Sequence, residues 1–302
     1  MGAGHTHGPP GHAGGRHRGR LALALVLAAG FWVVEAVTGV LTGSLALLSD
    51  AGHMAGDVLV LAVALVATRI ATRTDRSGRR SFGSYRVEVF ASGLAVLVML
   101  GVAVAIAVEA VGRIGHPPPL AASPVLAVGV LVLAVNVVAL LLLRAGARES
   151  LNVKGAYLEV AADAVGSVGV VVAGALVLLT GDPRWDVGIG LALAVFVAVR
   201  AVLLAREVLS VLAQHTPAGL DPEEVRTALA ALPGVVDVHD LHLWTLTSGM
   251  DVATVHLVAA AGADTHAVLD AAGELMRDRF GVEHATVQID PVDHSGCQQL
   301  RW

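Results

Sequence analysis

Six runs of mostly apolar residues, each about twenty or more long, fill the chain from about residue 20 to 209. They lie at roughly 20–41, 45–70, 88–114, 121–143, 155–180 and 186–209. A helix needs about 20 apolar residues to cross the hydrocarbon layer of a bilayer, and every backbone polar group there must be bonded within the segment or inside the protein. The runs therefore predict an α-helical membrane protein with six transmembrane helices. The composition agrees. Only 15% of the 302 residues are charged and 55% are hydrophobic, against about 25% charged in a soluble domain. The breaks between runs are turn-forming: Thr42-Gly43-Ser44, the basic stretch Arg73–Arg86, His116-Pro117-Pro118-Pro119, the polar stretch Arg144–Lys154, and Gly181-Asp182-Pro183.

Lys and Arg are enriched in cytoplasmic connectors, so their placement predicts orientation. Arg16, Arg18 and Arg20 precede the first run. Arg73, Arg76, Arg79, Arg80 and Arg86 follow the second, and Arg144, Arg148 and Lys154 follow the fourth. The other three connectors offer only Arg113 and Arg184. The alternation predicts six crossings with both termini cytoplasmic. The first run is too long for the apolar core of a secretory signal, about 7–15 residues. With no cleavable signal and no organelle address, the expected location is a bacterial inner membrane. A net charge of −5 gives no footprint for nucleic acid, and the lone Cys297 excludes an intrachain disulfide framework and a thiolate metal cage.

Outside the apolar region the texture changes. Residues 1–19 are a His-, Gly- and Arg-rich tail that cannot bury a core and is expected to be disordered; His5, His7, His12 and His17 could hold metal loosely. After about residue 213 comes a soluble pattern. Asp221-Pro222 reads as an N-cap and first helical position. Val235–Leu246 and Met250–Ala259 read as two strands around Thr247-Ser248-Gly249, and a helix follows from Thr265 to Phe280. A third strand covers about His284–Asp290. The order αββαβ predicts a small α+β domain over 213–292, after the membrane domain at 20–212 and before a tail at 293–302.

The polar residues inside the apolar runs carry the chemistry, because ionisable groups at membrane depth are costly and mark ion or proton paths. His53 and Asp57 are four apart in the second run, and Glu159 and Asp163 are four apart in the fifth. Residues at that spacing share a helix face. If the two faces meet, one imidazole and three carboxylates make a four-ligand cage for a divalent cation. Metal ligands must be deprotonated, so protons and metal compete for such a cage, which is the physical basis of antiport. Asp50 lies on the same stripe, and its expected role is pairing or capping. Glu35, Glu109 and Asn136 are each alone on their runs, which favours interhelical hydrogen bonding over ligation.

Five motifs then resemble one family in its order along the chain: Ser44–Asp57; Phe82-Gly83-Ser84-Tyr85-Arg86-Val87-Glu88; Asn152–Glu159 with Asp163–Ser167; His239-Asp240-Leu241-His242-Leu243-Trp244; and Val287-Gln288-Ile289-Asp290. The chain resembles the cation diffusion facilitators. That resemblance implies a homodimeric exporter, not an enzyme, exchanging cytosolic Zn²⁺ or a similar dication for protons by alternating access. It implies a transport site of His53, Asp57, Glu159 and Asp163, and a ferredoxin-like cytoplasmic domain that binds metal and helps dimerise. No prosthetic group is implied; the metal is substrate and candidate regulator. Zinc-transporting members often carry His at the Glu159 position, and carboxylate in its place moves preference toward harder ions, leaving Co²⁺, Cd²⁺, Fe²⁺ and Mn²⁺ open beside Zn²⁺. The loop after the second run offers Asp75 and no His, so a further loop site is not expected.

In the cytoplasmic domain His239, His256, His284 and Asp290 match metal-binding positions of that family. His242 and His266 are further candidates, whereas Cys297 with His294 belongs to a tail. A competing reading is a membrane metal sensor without transport, against which the buried mid-bilayer ligands argue. An intramembrane metalloprotease would need a His-Glu-x-x-His run, and an ATP-driven pump a Gly-Lys-Ser/Thr loop; the chain has neither.

Overall fold

The computed structural model describes residues 18–71, 82, 86–144 and 151–292, without the side chains of 18–24, of most of 60–71, or of 143, 151–156, 158 and 159. The N-terminal histidines, most of the loop from Arg73 to Tyr85, and His294 with Cys297 lie outside the described residues. The chain divides into two compact units, Met1–Ala205 and Arg206–Trp302.

The first unit is built from long helices: α1 (Arg18–Thr42), α2 (Leu45–Ala71), α3 (Val87–Arg113), α4 (Ala122–Leu143), α5 (Leu151–Thr180) and α6 (Arg184–Leu212), whose last turns belong to the second unit. Among the described residues five stretches are long and apolar enough to cross a membrane: Leu25–Thr42, Val87–Arg113, Ala122–Leu142, Val160–Thr180 and Arg184–Leu212. The remaining helix, α2, has 27 residues, and many side chains of its second half are outside the described set. The helices turn large apolar side chains outward, among them Leu41, Leu97, Val108, Leu142 and Leu179. That is the reverse of a soluble surface and suits contact with lipid.

The interior of this unit is made where α2 meets its neighbours. Ala46 and Leu47 of α2 pack with Val125 of α4, Val170 and Ala173 of α5, and Leu193 of α6. Leu45 packs with Ile106 and Ala110 of α3 and with Val187 and Ala194 of α6. Small residues set the spacing: a Cβ at Gly52 would run into Val102 of α3, and one at Gly190 would meet the backbone of Leu45 at 2.7 Å. Close approach of this kind is how helices associate without a hydrophobic driving force.

The second unit follows the order α7 (Pro222–Ala230), β1 (Val235–Thr247), β2 (Met250–Ala259), α8 (Thr265–Asp278), β3 (His284–Pro291). The sheet order is β1-β2-β3. β1 and β2 are antiparallel, and β2 and β3 are parallel across the α8 crossover. The expected caps form: Asp221 accepts from Glu223 N at 2.9 Å, and Asp264 accepts from His266 N and Ala267 N. Val225 and Leu229 of α7 and Val268, Ala272 and Met276 of α8 close over Val238, Leu243, Ala253, Val255 and Leu257 of the strands. The sheet thus has one helix-covered face, as the sequence pattern requires.

Candidate metal centres

In the first unit α2 and α5 bring His53, Asp57 and Asp163 together, with one ligand atom from each within 4.8 Å of the others. His53 Nε2 lies 3.1 Å from Asp163 Oδ1 and 3.8 Å from Asp57 Oδ2. The imidazole is buried and the two carboxylates are about a quarter to a third exposed, so the cluster has a dry wall and an open side. One nitrogen and two carboxylate oxygens in that space are a borderline-hard donor set for a divalent transition metal. Glu159 lies one turn before Asp163 on the same helix; its side chain is outside the described residues.

A polar layer lies beside the cluster. Asn136 of α4 donates to Ser167 Oγ of α5 at 3.2 Å. The Ser167 hydroxyl stands 3.0 Å from the Asp163 carbonyl and 3.5 Å from Asp50 Oδ2, and its single proton serves one of them at a time. Asp50 is buried, packed so closely that a Cβ on Gly166 would fall on its carboxylate. Glu35 of α1 is fully buried and faces Asp50, with no donor to either carboxyl oxygen among the described residues. Two facing acceptors need a shared proton between them to form a favourable contact. Asn136 thus makes an interhelical bond. Glu109 does not: its carboxylate is exposed and pairs with Arg113 on its own helix at 2.9 Å, because the i, i+4 spacing brings them together.

Two residues of this unit were not singled out by the sequence reading. Asp186, in the first turn of α6, caps α2: Ser44 Oγ donates to its Oδ1 at 2.5 Å and Leu45 N to its Oδ2 at 2.7 Å. Arg200 of α6 stands over the cluster, with Nη1 2.7 Å from His53 Nε2. Each had a signal. Asp186 follows Pro183 at a helix start, and Arg200 is the only charged residue between Val187 and Ala205.

In the second unit His239, His256 and Asp290 converge, again with ligand atoms within 4.8 Å. Asp290 Oδ2 lies 3.1 Å from His256 Nδ1 and 3.5 Å from His239 Nε2, and the two rings are 5.2 Å apart. The sheet register explains the grouping, since His239 pairs with His256 across β1–β2 and Asp290 lies on the adjacent β3. The same register separates His284, which pairs with Val252 while His256 pairs with Gln288. Four residues along a strand span about 13 Å, so His284 is not brought to this group. His266 is exposed on α8 beside Asp270. His242 bonds Asp240 at 3.0 Å, and Asp240 also approaches His256 Nε2 at 3.8 Å. Asp240 owes that position to an irregularity in β1 between His239 and His242, where its φ is +53°. Asp is one of the few side chains that tolerate that backbone region.

Two family models match the chain. A cation efflux transmembrane domain covers residues 21–213, and a cation efflux protein cytoplasmic domain covers residues 217–292. Among curated proteins, the chain is 40% identical to the metal cation efflux system protein CzcD of Cupriavidus metallidurans, over 99% of this chain and 94% of that protein. It is 32% identical to a cadmium, cobalt and zinc/H⁺-K⁺ antiporter of Bacillus velezensis, over 97% and 93%. It is 33% identical to the zinc transporter ZitB of Escherichia coli, over 90% and 87%. Among solved structures, it matches the metal-bound C-terminal domain of the CzcD transporter from Cupriavidus metallidurans with 38% identity and a TM-score of 0.23, covering 24% of this chain and 99% of that one.

Proposed function

The chain belongs to the cation diffusion facilitator, or cation efflux, family, and from that membership we propose that it exports divalent metal ions in exchange for protons. It is an integral membrane transporter and not an enzyme. The ion site of the proposal is His53 and Asp57 on α2 with Asp163 and Glu159 on α5. The observation that carries it is the convergence of His53 Nε2, Asp163 Oδ1 and Asp57 Oδ2 from two helices inside an apolar bundle. Zn²⁺ is the leading cargo, with Co²⁺ and Cd²⁺ beside it, the ions that the relatives' names carry. A three-carboxylate, one-imidazole cage also accepts Fe²⁺ and Mn²⁺.

The mechanism follows from the donor set. Carboxylates and imidazole bind a dication only when deprotonated, so loading the ion releases protons and proton entry on the other side releases the ion. Alternating access then needs only that α2 and α5 open to one side at a time, each bound species biasing that equilibrium by its differential affinity. The proposed topology has six crossings with both termini in the cytoplasm of a bacterial cell. His239, His256 and Asp290 form a second, cytoplasmic metal site in a domain through which two chains pair, and metal bound there is proposed to regulate transport.

The test is flux in proteoliposomes under an imposed proton gradient, for Zn²⁺, Co²⁺, Cd²⁺, Mn²⁺ and Fe²⁺. Native protein should accumulate at least one of these ions in a gradient-dependent way, and Asp57→Ala should abolish it. Undiminished flux in Asp57→Ala would overturn the site. Metal binding without flux in the native protein would favour the sensor reading.

A further inference from the structure

We propose that Arg200 is a built-in cation that competes with the transported metal for His53, and so sets how tightly the ion is held and how readily it leaves. The inference rests on the transport-site reading and adds to it a residue that cannot itself be a ligand.

The contact is specific. Arg200 Nη1 stands 2.7 Å from His53 Nε2, across from α6 to α2. A guanidinium carries five N–H donors and no acceptor, and it stays charged in proteins. At that distance Nε2 must offer it a lone pair, the same lone pair that a metal would use. A zinc-like ion bonds an imidazole nitrogen at about 2.0–2.1 Å. An ion on Nε2 and the guanidinium on Nε2 are therefore mutually exclusive. Arg200 must swing away for metal to bind, and its return removes the nitrogen ligand.

The surroundings make the exchange easy to reverse. The Nε2 atom also faces Asp163 Oδ1 at 3.1 Å. One ring nitrogen has a single in-plane position, holding either a proton or a lone pair. With the lone pair it satisfies Arg200 and opposes Asp163. With a proton it satisfies Asp163 and opposes Arg200. The other ring nitrogen, Nδ1, is buried with no partner among the described residues, so the imidazole is not locked from behind. A trio in which one contact always fails is poised, not fixed. A dication relieves it, because Nε2 and Oδ1 can both ligate the same ion.

Charge gives the arrangement its use. Carboxylates facing a site at membrane depth are costly without a counter-charge. Arg200 supplies a positive charge on α6, where it approaches a ligand on α2. An ion that displaces it gains its ligands but loses the neutralisation the arginine had provided. Binding is thereby weakened relative to a site with no internal competitor, and release is quickened. A transporter needs both, since an ion held too tightly cannot be delivered.

The experiment uses the full chain, purified and reconstituted, with Zn²⁺, Co²⁺ and Cd²⁺ as probes. Arg200→Gln should bind metal tighter by about tenfold, in the usual range for coupled ligands, and should turn over more slowly, so that KM and kcat fall together. Arg200→Lys keeps a cation of shorter reach without the planar fork and should give an affinity between native and Arg200→Gln. A merely structural arginine would instead weaken binding in both variants. Should Arg200→Gln fail to reconstitute, Arg200→Lys decides alone: tighter binding than native supports the inference, and equal or weaker binding overturns it. His53→Ala separates the two levels. If His53→Ala still moves metal and binds as many ions per chain as the native protein, the transport-site reading fails. If it loses flux and one bound ion per chain while Arg200→Gln binds no tighter than native, only the competitor role falls.

Discussion

At the scale of single residues, His53, Asp57, Asp163 and Arg200 share one physical feature, an ionisable group inside an apolar run, where such a group is costly. Ionisable groups inside apolar runs pointed to His53, Asp57 and Asp163, and α2 and α5 bring them within ligand distance. The same feature on α6 points to Arg200, which a search for ligand types passes over because arginine cannot coordinate a metal. In the cytoplasmic unit, the family resemblance singles out His239, His256, His284 and Asp290, and the strand pattern places them along three strands. That pattern cannot find Asp240, because a strand irregularity shifts the register there, and it cannot set His284 apart from the others, because pairing between strands is not written in either strand alone. That register yields a prediction. In metal titrations of the full-length protein, Asp290→Ala should lower the number of tightly bound ions per chain by one, since Asp290 Oδ2 faces both imidazoles. His284→Ala should leave the number unchanged. Loss of an ion in His284→Ala would move the ligand set toward the other end of β3.

At the scale of elements, α2 is the helix on which the proposed site depends, and it is held at its start by another helix. The first backbone N–H groups of a helix have no intrahelical acceptor. Here Asp186 of α6 accepts from Leu45 N and Ala46 N and from the Ser44 hydroxyl, while Ser44 Oγ itself accepts from Leu47 N. Asp186→Ala should therefore destabilise the bundle by about 1–2 kcal/mol, the cost of losing a helix cap, and thermal unfolding in detergent should show a lowered Tm. An unchanged Tm would mean that Ser44 caps α2 alone. The element boundaries were largely readable from the runs: the second strand falls at Met250–Ala259 as expected, and most helix ends agree within a residue or two. The exceptions share a cause. α5 begins at Leu151 rather than about 155, and α6 continues to Leu212 rather than about 209, because hydropathy registers only the apolar part of a helix whose hydrogen-bond ladder continues through polar residues. Asp186 was missed for a related reason. Its partners lie some 140 residues away in the chain, and no local pattern announces a cap supplied from another helix.

At the scale of the whole molecule, the number of crossings decides which side each end occupies, and parity makes this testable. Among the described residues five stretches meet the length and apolarity needed to cross, while α2 carries Asp50, His53 and Asp57 in its first half. If α2 also crosses, six passes return the chain to its starting side, and residues 1–17 and the cytoplasmic unit share one compartment. If α2 does not cross, five passes put them on opposite faces. The basic residues favour the first case, because Arg-rich connectors then alternate with Arg-poor ones throughout. The protein's single cysteine makes the measurement clean. Cys297 should resist a membrane-impermeant maleimide in intact cells and react once the membrane is permeabilised. A Gly8→Cys, Cys297→Ser variant should behave the same way. If one position labels from outside and the other does not, the passes are odd in number, α2 is not a span, and His53 and Asp57 could not line a path through the bilayer. If both are shielded, the passes are even in number. His53 and Asp57 of α2 then lie at membrane depth, where the cost of burying them would be offset by the ion proposed to bind there.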